Sequence, residues 1–272
     1  MNERGKTLLK GLCVGGSMLV PGVSGGSMAM ILGIYNRLIS AVSTFFRDVR
    51  GNAAFLGLFA LGALVGLGLF ARPLLKLIEI HPLPMRYFFI GAAAGSVPLV
   101  FRQARVCRFS WGAVIYPLLG LAVVGLLGLL PVTPEGAAVP PVFTGASWAG
   151  QIRLLLAGVI AAVALVLPGI SVSYMLLVMG LYDQVMTAVG RPDFSLLCPL
   201  GLGVFLGVVL TTRLLEKAMT RFPQATYLII LGFLLGSAAS LFPGLPSGAG
   251  LLSCPLMFLA GFGIILRLSA AA

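Results

Sequence analysis

The residues best suited to chemistry in this chain are two short runs of proline, glycine and serine set inside apolar sequence. The first reads Pro21-Gly22-Val23-Ser24-Gly25-Gly26-Ser27 and the second Pro168-Gly169-Ile170-Ser171-Val172-Ser173. Proline removes a backbone donor and disfavours helix at the residue before it. Glycine permits unusual dihedrals and close backbone approach. A helix that restarts after such a break, near Ser27 in the first run, presents free N–H groups and the positive end of its dipole, a setting for an anion. The hydroxyls of Ser24, Ser27, Ser171 and Ser173 add donors. A single break is as well explained by a kinked helix whose serines satisfy their own backbone. Two breaks in equivalent places point instead to a substrate site at mid-membrane depth, which makes candidates of Pro21, Gly22, Ser24, Gly25, Gly26, Ser27, Pro168, Gly169, Ser171 and Ser173.

A second constellation is cationic. Arg72/Lys76 and Arg213/Lys217 are i,i+4 pairs, each on one face of a helix at the end of an apolar run. Arginine offers a planar fork that holds phosphate bidentately, with lysine as a point charge beside it. The plainer readings are snorkelling to headgroups and a topology signal. The 213/217 pair fits them well, whereas the 72/76 pair falls on the side that should be poor in basic residues. Asp183 is the candidate proton carrier, since an intramembrane carboxylate is functional by default; Asn36 holds the matching place in the first half. Glu79, Glu216 and His81 are the other titratable groups near the spans. With one histidine, no Ser-His-Asp set, HExxH or P-loop can be assembled, so a non-enzyme without cofactor is expected. Cys13, Cys107, Cys198 and Cys254 lie far apart with no CxxC, which indicates neither a metal site nor a disulfide framework.

These residues must be held by membrane helices. Mean hydropathy is +1.09, and 9% of the 272 residues are charged, against about a quarter in a soluble domain. The formal charge of +11 sits in short gaps between apolar runs, the pattern of topology signals and lipid headgroup contacts rather than of nucleic-acid binding. The apolar stretch after Arg4, Lys6 and Lys10 has no A-x-A cleavage site and reads as retained.

The chain is internally duplicated. Residues 21–42 and 168–189 share eight of 22 positions at an offset of 147, among them Pro21/Pro168, Gly22/Gly169, Gly33/Gly180 and Tyr35/Tyr182. Residues 61–101 and 202–242 share 12 of 41 at an offset of 141, among them Arg72/Arg213, Lys76/Lys217 and Pro82/Pro223. Each half parses alike: a short apolar arm (8–20; 152–167), the break, a second arm (23–46; 170–189), then three longer helices near 53–71, 85–101 and 112–130, and 198–212, 225–242 and 250–266. The expected fold is an all-α polytopic membrane protein of two inverted repeats, 1–130 and 151–272, each a re-entrant helical hairpin plus three transmembrane helices. An extracytoplasmic linker, 131–150, joins them. Five full crossings per half is the competing parse; the short first arm favours hairpins.

Three crossings per half invert the second half relative to the first. With the N-terminus cytoplasmic, the loops carrying Arg47/Arg50, Arg102/Arg105/Arg108, Arg213/Lys217/Arg221 and Arg267 fall inside, and the C-terminus with them. The linker 131–150 and loop 243–249 lack Lys and Arg and fall outside. Loop 72–86, with Arg72, Lys76 and Arg86, breaks this rule. Four GxxxG motifs, at 62–66, 91–95, 203–207 and 232–236, suit close helix packing.

The paired signatures PGVSGGSMAMILGIY at 21–35 and LPGISVSYMLLVMGLY at 167–182 resemble the polyprenyl-phosphate (undecaprenyl-phosphate) transporter family of bacterial membrane proteins, formerly a domain of unknown function. The resemblance covers nearly the whole chain. It implies a protein of the cell inner membrane that returns undecaprenyl phosphate, the lipid carrier, across the bilayer for reuse in cell-envelope synthesis. The family's PG-x-S-G pattern is met at Pro21, Gly22, Ser24 and Gly25, while the second copy departs with Val172 in place of glycine. The expected partners are the polyprenyl phosphate and membrane lipids, and a homo-oligomer is compatible with the sequence. The competing expectation is a secondary transporter of a small soluble anion, which calls for a closed central cavity instead of one opening toward lipid.

Overall fold

A computed structural model describes residues 3–18, 25–106, 111–132, 148–191, 193–246, 248 and 250–270. Twelve α-helices and one 3-10 turn make up the described chain, and no strand occurs among the described residues. The first half holds α1 (Glu3–Ser17), α2 (Gly25–Ile31), α3 (Tyr35–Ser43), α4 (Val49–Ile80), α5 (Pro82–Gln103) and α6 (Gly112–Gly128). The second repeats the order as α7 (Trp148–Val166), α8 (Val172–Val178), α9 (Tyr182–Gly190), α10 (Phe194–Arg221), α11 (Pro223–Ser240) and α12 (Gly250–Ala270).

Helix ends follow local chemistry. The Asp48 carboxylate caps α4 by accepting from the Gly51 amide at 2.9 Å, and Asp193 caps α10 through the Ser195 amide at 3.0 Å. Hydrogen bonds from the Ser195 hydroxyl and amide hold the exposed Asp193 carboxyl below its ordinary range. Pro82 and Pro223 open α5 and α11, where a missing N–H costs nothing. Among the described residues six helices are long and apolar enough to cross a membrane: the Val49–Phe70 part of α4, then α5, α7, α10, α11 and the Gly250–Arg267 part of α12. The apolar α6, at 17 residues, is just shorter.

Four boundaries differ from the sequence expectation. Helix α10 runs to Arg221, so Arg213 and Lys217 lie within a helix and not in a loop. Helix α4 runs through Pro73 to Ile80, so Arg72 and Lys76 lie within a helix about 48 Å long and not in a loop. Helix α7 begins at Trp148, and its 19 residues match the apolar thickness of about 30 Å, longer than a short arm requires. The second arms are each broken in two. Gly33 (φ 65°) and Gly180 (φ 67°) take the left-handed conformation. Matched bonds close the turns, from Ile34 N–H to the Ala29 carbonyl and from Leu181 N–H to the Leu176 carbonyl. A left-handed glycine with these bonds is a helix stop.

Glycine sets the helix pairing. A Cβ on Gly62 or Gly66 would lie 2.3 or 2.0 Å from the carbonyl oxygens of Leu8 and Leu12, and one on Gly203 would lie 2.0 Å from that of Leu155. So α1 runs alongside and parallel to α4, and α7 to α10. In the same way Gly91 meets the Phe258 carbonyl and Gly232 the Pro117 carbonyl, which pairs α5 with α12 and α11 with α6 across the two halves. The main buried cluster draws Val14, Met30, Tyr35 and Val100 from the first half and Leu228 and Leu234 from the second. The outer surface is apolar: Leu64, Leu126, Leu210 and Leu252 are all exposed, as suits lipid rather than water.

Candidate functional site

The second break can be followed atom by atom. Helix α7 ends at Val166, ahead of the buried Pro168. Gly169 then turns with φ 89°, and a Cβ there would stand 2.5 Å from the Phe233 carbonyl oxygen in the middle of α11. Only glycine fits both constraints. The Ser171 hydroxyl caps α8 by accepting from the Tyr174 amide at 3.3 Å, and the Tyr174 hydroxyl donates to the Leu127 carbonyl at 2.8 Å near the end of α6.

The second break touches α2 and α3. The Gly169 amide donates to the Ser27 hydroxyl at 2.8 Å. The Tyr35 hydroxyl, at the start of α3, donates to the Val166 carbonyl at 2.7 Å. Gly26 packs so closely that a Cβ would sit 3.3 Å from the Cα of Pro168. Ser27 and Tyr35 thus supply partners to backbone that the break in α7 leaves without helical ones, as the low-dielectric setting demands. Tyr35 is core, buried at 3% exposure.

Beside this contact lies a cavity of about 450 Å3 whose polar wall is Arg86, Gly169, Ser171, Tyr174 and Ser240 and whose apolar wall includes Ile78, Phe89, Val124 and Leu127. Arg86 is the cation this cavity carries. It is the third basic residue of the loop that disobeys the positive-inside rule, and that violation is the signal that could have singled it out. The internal repeat does not mark it, because its counterpart at offset 141 is Tyr227.

The other sequence candidates are dispersed. Pro21, Gly22 and Ser24 lie outside the described residues, as do Cys107 and most of the linker. Gly25 opens α2 against the Met18 side chain. Ser173 is exposed on α8, and Asp183 is exposed in the first turn of α9. Arg72 and Lys76 are exposed on α4. Arg213 and Lys217 line a surface cleft of about 520 Å3 with Ser43, Arg47 and Glu216, where the Ser43 hydroxyl donates to the Glu216 carboxylate. A further cavity of about 680 Å3 shares Glu216 and Thr220 with that cleft and holds Asn36, Arg102, Arg105 and Tyr227. It sits where α5 ends and α11 begins, whereas the Arg86 cavity sits where α5 begins and α11 ends. The two equivalent helices therefore run antiparallel. Among the described residues no three of His, Cys, Asp and Glu gather as metal ligands.

Apolar helices of spanning length, an apolar outer surface and polar broken segments meeting at the middle of α11 define a multi-pass helical membrane protein. Residues 14–247 match the profile of the undecaprenyl phosphate translocase-like family, and the chain belongs to that family. It is similar to the polyprenyl-phosphate transporter of Staphylococcus aureus, 32% identical over 270 residues that cover 96% of this chain and 94% of the relative. It is also similar to the polyprenyl-phosphate transporter of Vibrio cholerae, 29% identical over 259 residues that cover 87% of this chain and 77% of the relative. No solved structure matches the chain significantly.

Proposed function

We propose that the protein carries polyprenyl phosphate, the undecaprenyl lipid carrier, across the bacterial cytoplasmic membrane for reuse in cell-envelope synthesis. One observation carries the reading: the second proline-glycine turn opens into a cavity that is cationic at Arg86 and apolar at Ile78, Phe89, Val124 and Leu127. A phosphate monoester on an isoprenoid chain needs both kinds of wall, whereas a small soluble anion has no use for the apolar one. Donors at the PG-x-S turns and arginines hold the headgroup while the tail stays in lipid. Because the substrate leaves as it entered, no covalent chemistry is required.

Two inverted repeats moving by alternating access suit this task. The antiparallel course of α5 and α11, with matched glycine contacts in α1/α4 and α7/α10 and in α5/α12 and α11/α6, supports inversion. The breaks meeting beside Phe233, halfway along α11, support hairpins that enter from opposite faces. The two hairpins are docked unequally. Helix α3 packs along α10 and α2 against α5, while among the described residues α9 and α8 make no comparable contact with α4 and α11. A protein closed around one hairpin and open at the other has the asymmetry that alternating access needs. With both termini cytoplasmic, the Arg86 cavity faces outward.

The test is a liposome assay that follows the sidedness of polyprenyl phosphate. Purified protein should equilibrate the lipid between leaflets within the assay time, and protein-free liposomes should not. A sidedness unchanged by the protein, with and without a pH gradient, would defeat the reading.

A further inference from the structure

The charged cavity at the far end of α5 is not explained by the turn at Gly169. Arg86 lies in the second turn of α5 and Arg102 in its last, so 16 residues and about 24 Å of helix rise separate them, most of an apolar layer of about 30 Å. Arg105 follows in a tight turn whose amide donates to the Arg102 carbonyl at 3.2 Å. Its φ of 51° is the one positive value among non-glycine residues described. A bulky residue held there costs about 1 kcal/mol or more and is characteristic of ligand clamps. Between the two arginines in sequence, Gln103 buries its Oε1 with no hydrogen-bond partner among the described residues. A buried acceptor left in that state costs on the order of 1–3 kcal/mol.

We infer that the Arg102–Arg105 cavity is a second phosphate-monoester site, the station at which the headgroup is held at the membrane face opposite Arg86. The inference rests on the transport reading above and names residues that reading leaves unassigned. Two guanidinium groups supply donors to the phosphate oxygens. A phosphate monoester, whose second pKa is about 6, also brings an O–H in its singly protonated form, the donor that Gln103 Oε1 lacks. The Glu216 carboxylate in this wall is met by the Ser43 hydroxyl. Across the cavity and the adjoining cleft it faces five cations, Arg47, Arg102, Arg105, Arg213 and Lys217, so the mouth still attracts anions. The void of about 20 Å3 beside Ser27, Phe89 and Ala92, midway along α5, is far smaller than the cavities at the two ends of that helix, so the space along α5 is narrow at its middle and widens toward Arg86 and toward Arg102.

Arginine-selective modification of wild-type protein in nanodiscs, where both faces are accessible, tests this residue by residue. Phenylglyoxal adducts at Arg86, Arg102 and Arg105 are counted by mass spectrometry with farnesyl phosphate, neutral farnesol or inorganic phosphate present. Near-saturating farnesyl phosphate should slow modification of Arg102 and Arg105 roughly tenfold, as about 90% occupancy demands, and farnesol should not. Protection by inorganic phosphate as well would support the same station and show that the headgroup alone is the ligand. Protection of Arg86 without Arg102 and Arg105 would overturn the second station and leave the transport reading standing; protection at neither end would overturn both. The Arg102→Gln/Arg105→Gln double variant should keep Arg86 protection, which reports an intact fold, and lose liposome transport at least roughly tenfold, the weight of one charge-assisted hydrogen bond. Transport at the wild-type rate in that variant would also overturn the station.

Discussion

At the scale of single residues, the weight of the proposed site falls on Arg86. Arg72 and Lys76 are exposed on α4, while Arg86 shares a cavity with the Gly169–Ser171 turn. A charge-assisted hydrogen bond contributes about 1.5–3 kcal/mol, so Arg86→Gln should slow liposome transport roughly 10- to 100-fold, one decade for each 1.36 kcal/mol. Arg72→Gln should slow it less. Equal rates for Arg86→Gln and wild type, with both proteins folded, would remove Arg86 from the headgroup's path. The serines divide in the same way. Ser27 accepts from Gly169 and Ser171 from Tyr174, so both hydroxyls also help to hold the breaks in place. The break after α7 could be read from Pro168, Gly169 and Ser171 alone, because those residues have few other uses inside an apolar run. Where Ser27 would point could not, since its partner lies 142 residues away.

At the scale of elements, the sequence was most informative where glycine was doubled. GxxxG at 62–66 and 203–207 implies close crossings, and the crossings occur, though the motif does not say which helix crosses. Gly66→Ala should be costly, since a Cβ there would stand 2.0 Å from the Leu12 carbonyl oxygen and backbone would have to move, at roughly 1–3 kcal/mol. Gly57→Ala and Gly68→Ala, on the same helix with nothing within 4 Å of the added carbon, should be neutral or stabilise by up to about 1 kcal/mol. Thermal unfolding in detergent separates the two outcomes; similar midpoints for all three would refute close packing of α1 on α4. The breaks at Gly33 and Gly180 were legible in principle, as a glycine before Leu/Ile-Tyr in both copies, but continuous apolar sequence around them reads as one arm. The extension of α4 to Ile80 was masked for the opposite reason: Pro73, Arg72 and Lys76 look like the end of a span, yet a helix leaving the apolar layer tolerates them.

At the scale of the molecule, the like segments α2–α3 and α8–α9 sit in unlike places, and the first is held to α10 by a contact the second does not repeat. The Ser43 hydroxyl donates to Glu216, whereas the matching positions at offsets 147 and 141 are Gly190 and Leu75. The sequence repeat could suggest two related positions for these segments but not which one is docked, because the two copies share the residues of the turns and not the Ser43 and Glu216 of the contact. If transport requires the first hairpin to leave α10, tying the two together must stop it. A Ser43→Cys/Glu216→Cys pair should oxidise to a disulfide, or accept a short bifunctional thiol reagent, and block exchange of polyprenyl phosphate between leaflets. Reduction of the disulfide should restore the rate, and each single cysteine variant under the same oxidant should keep it. Cross-linked protein that still equilibrates the lipid at the uncross-linked rate would mean that the first hairpin never moves, and that the unequal docking is a fixed feature of the fold rather than one half of a cycle.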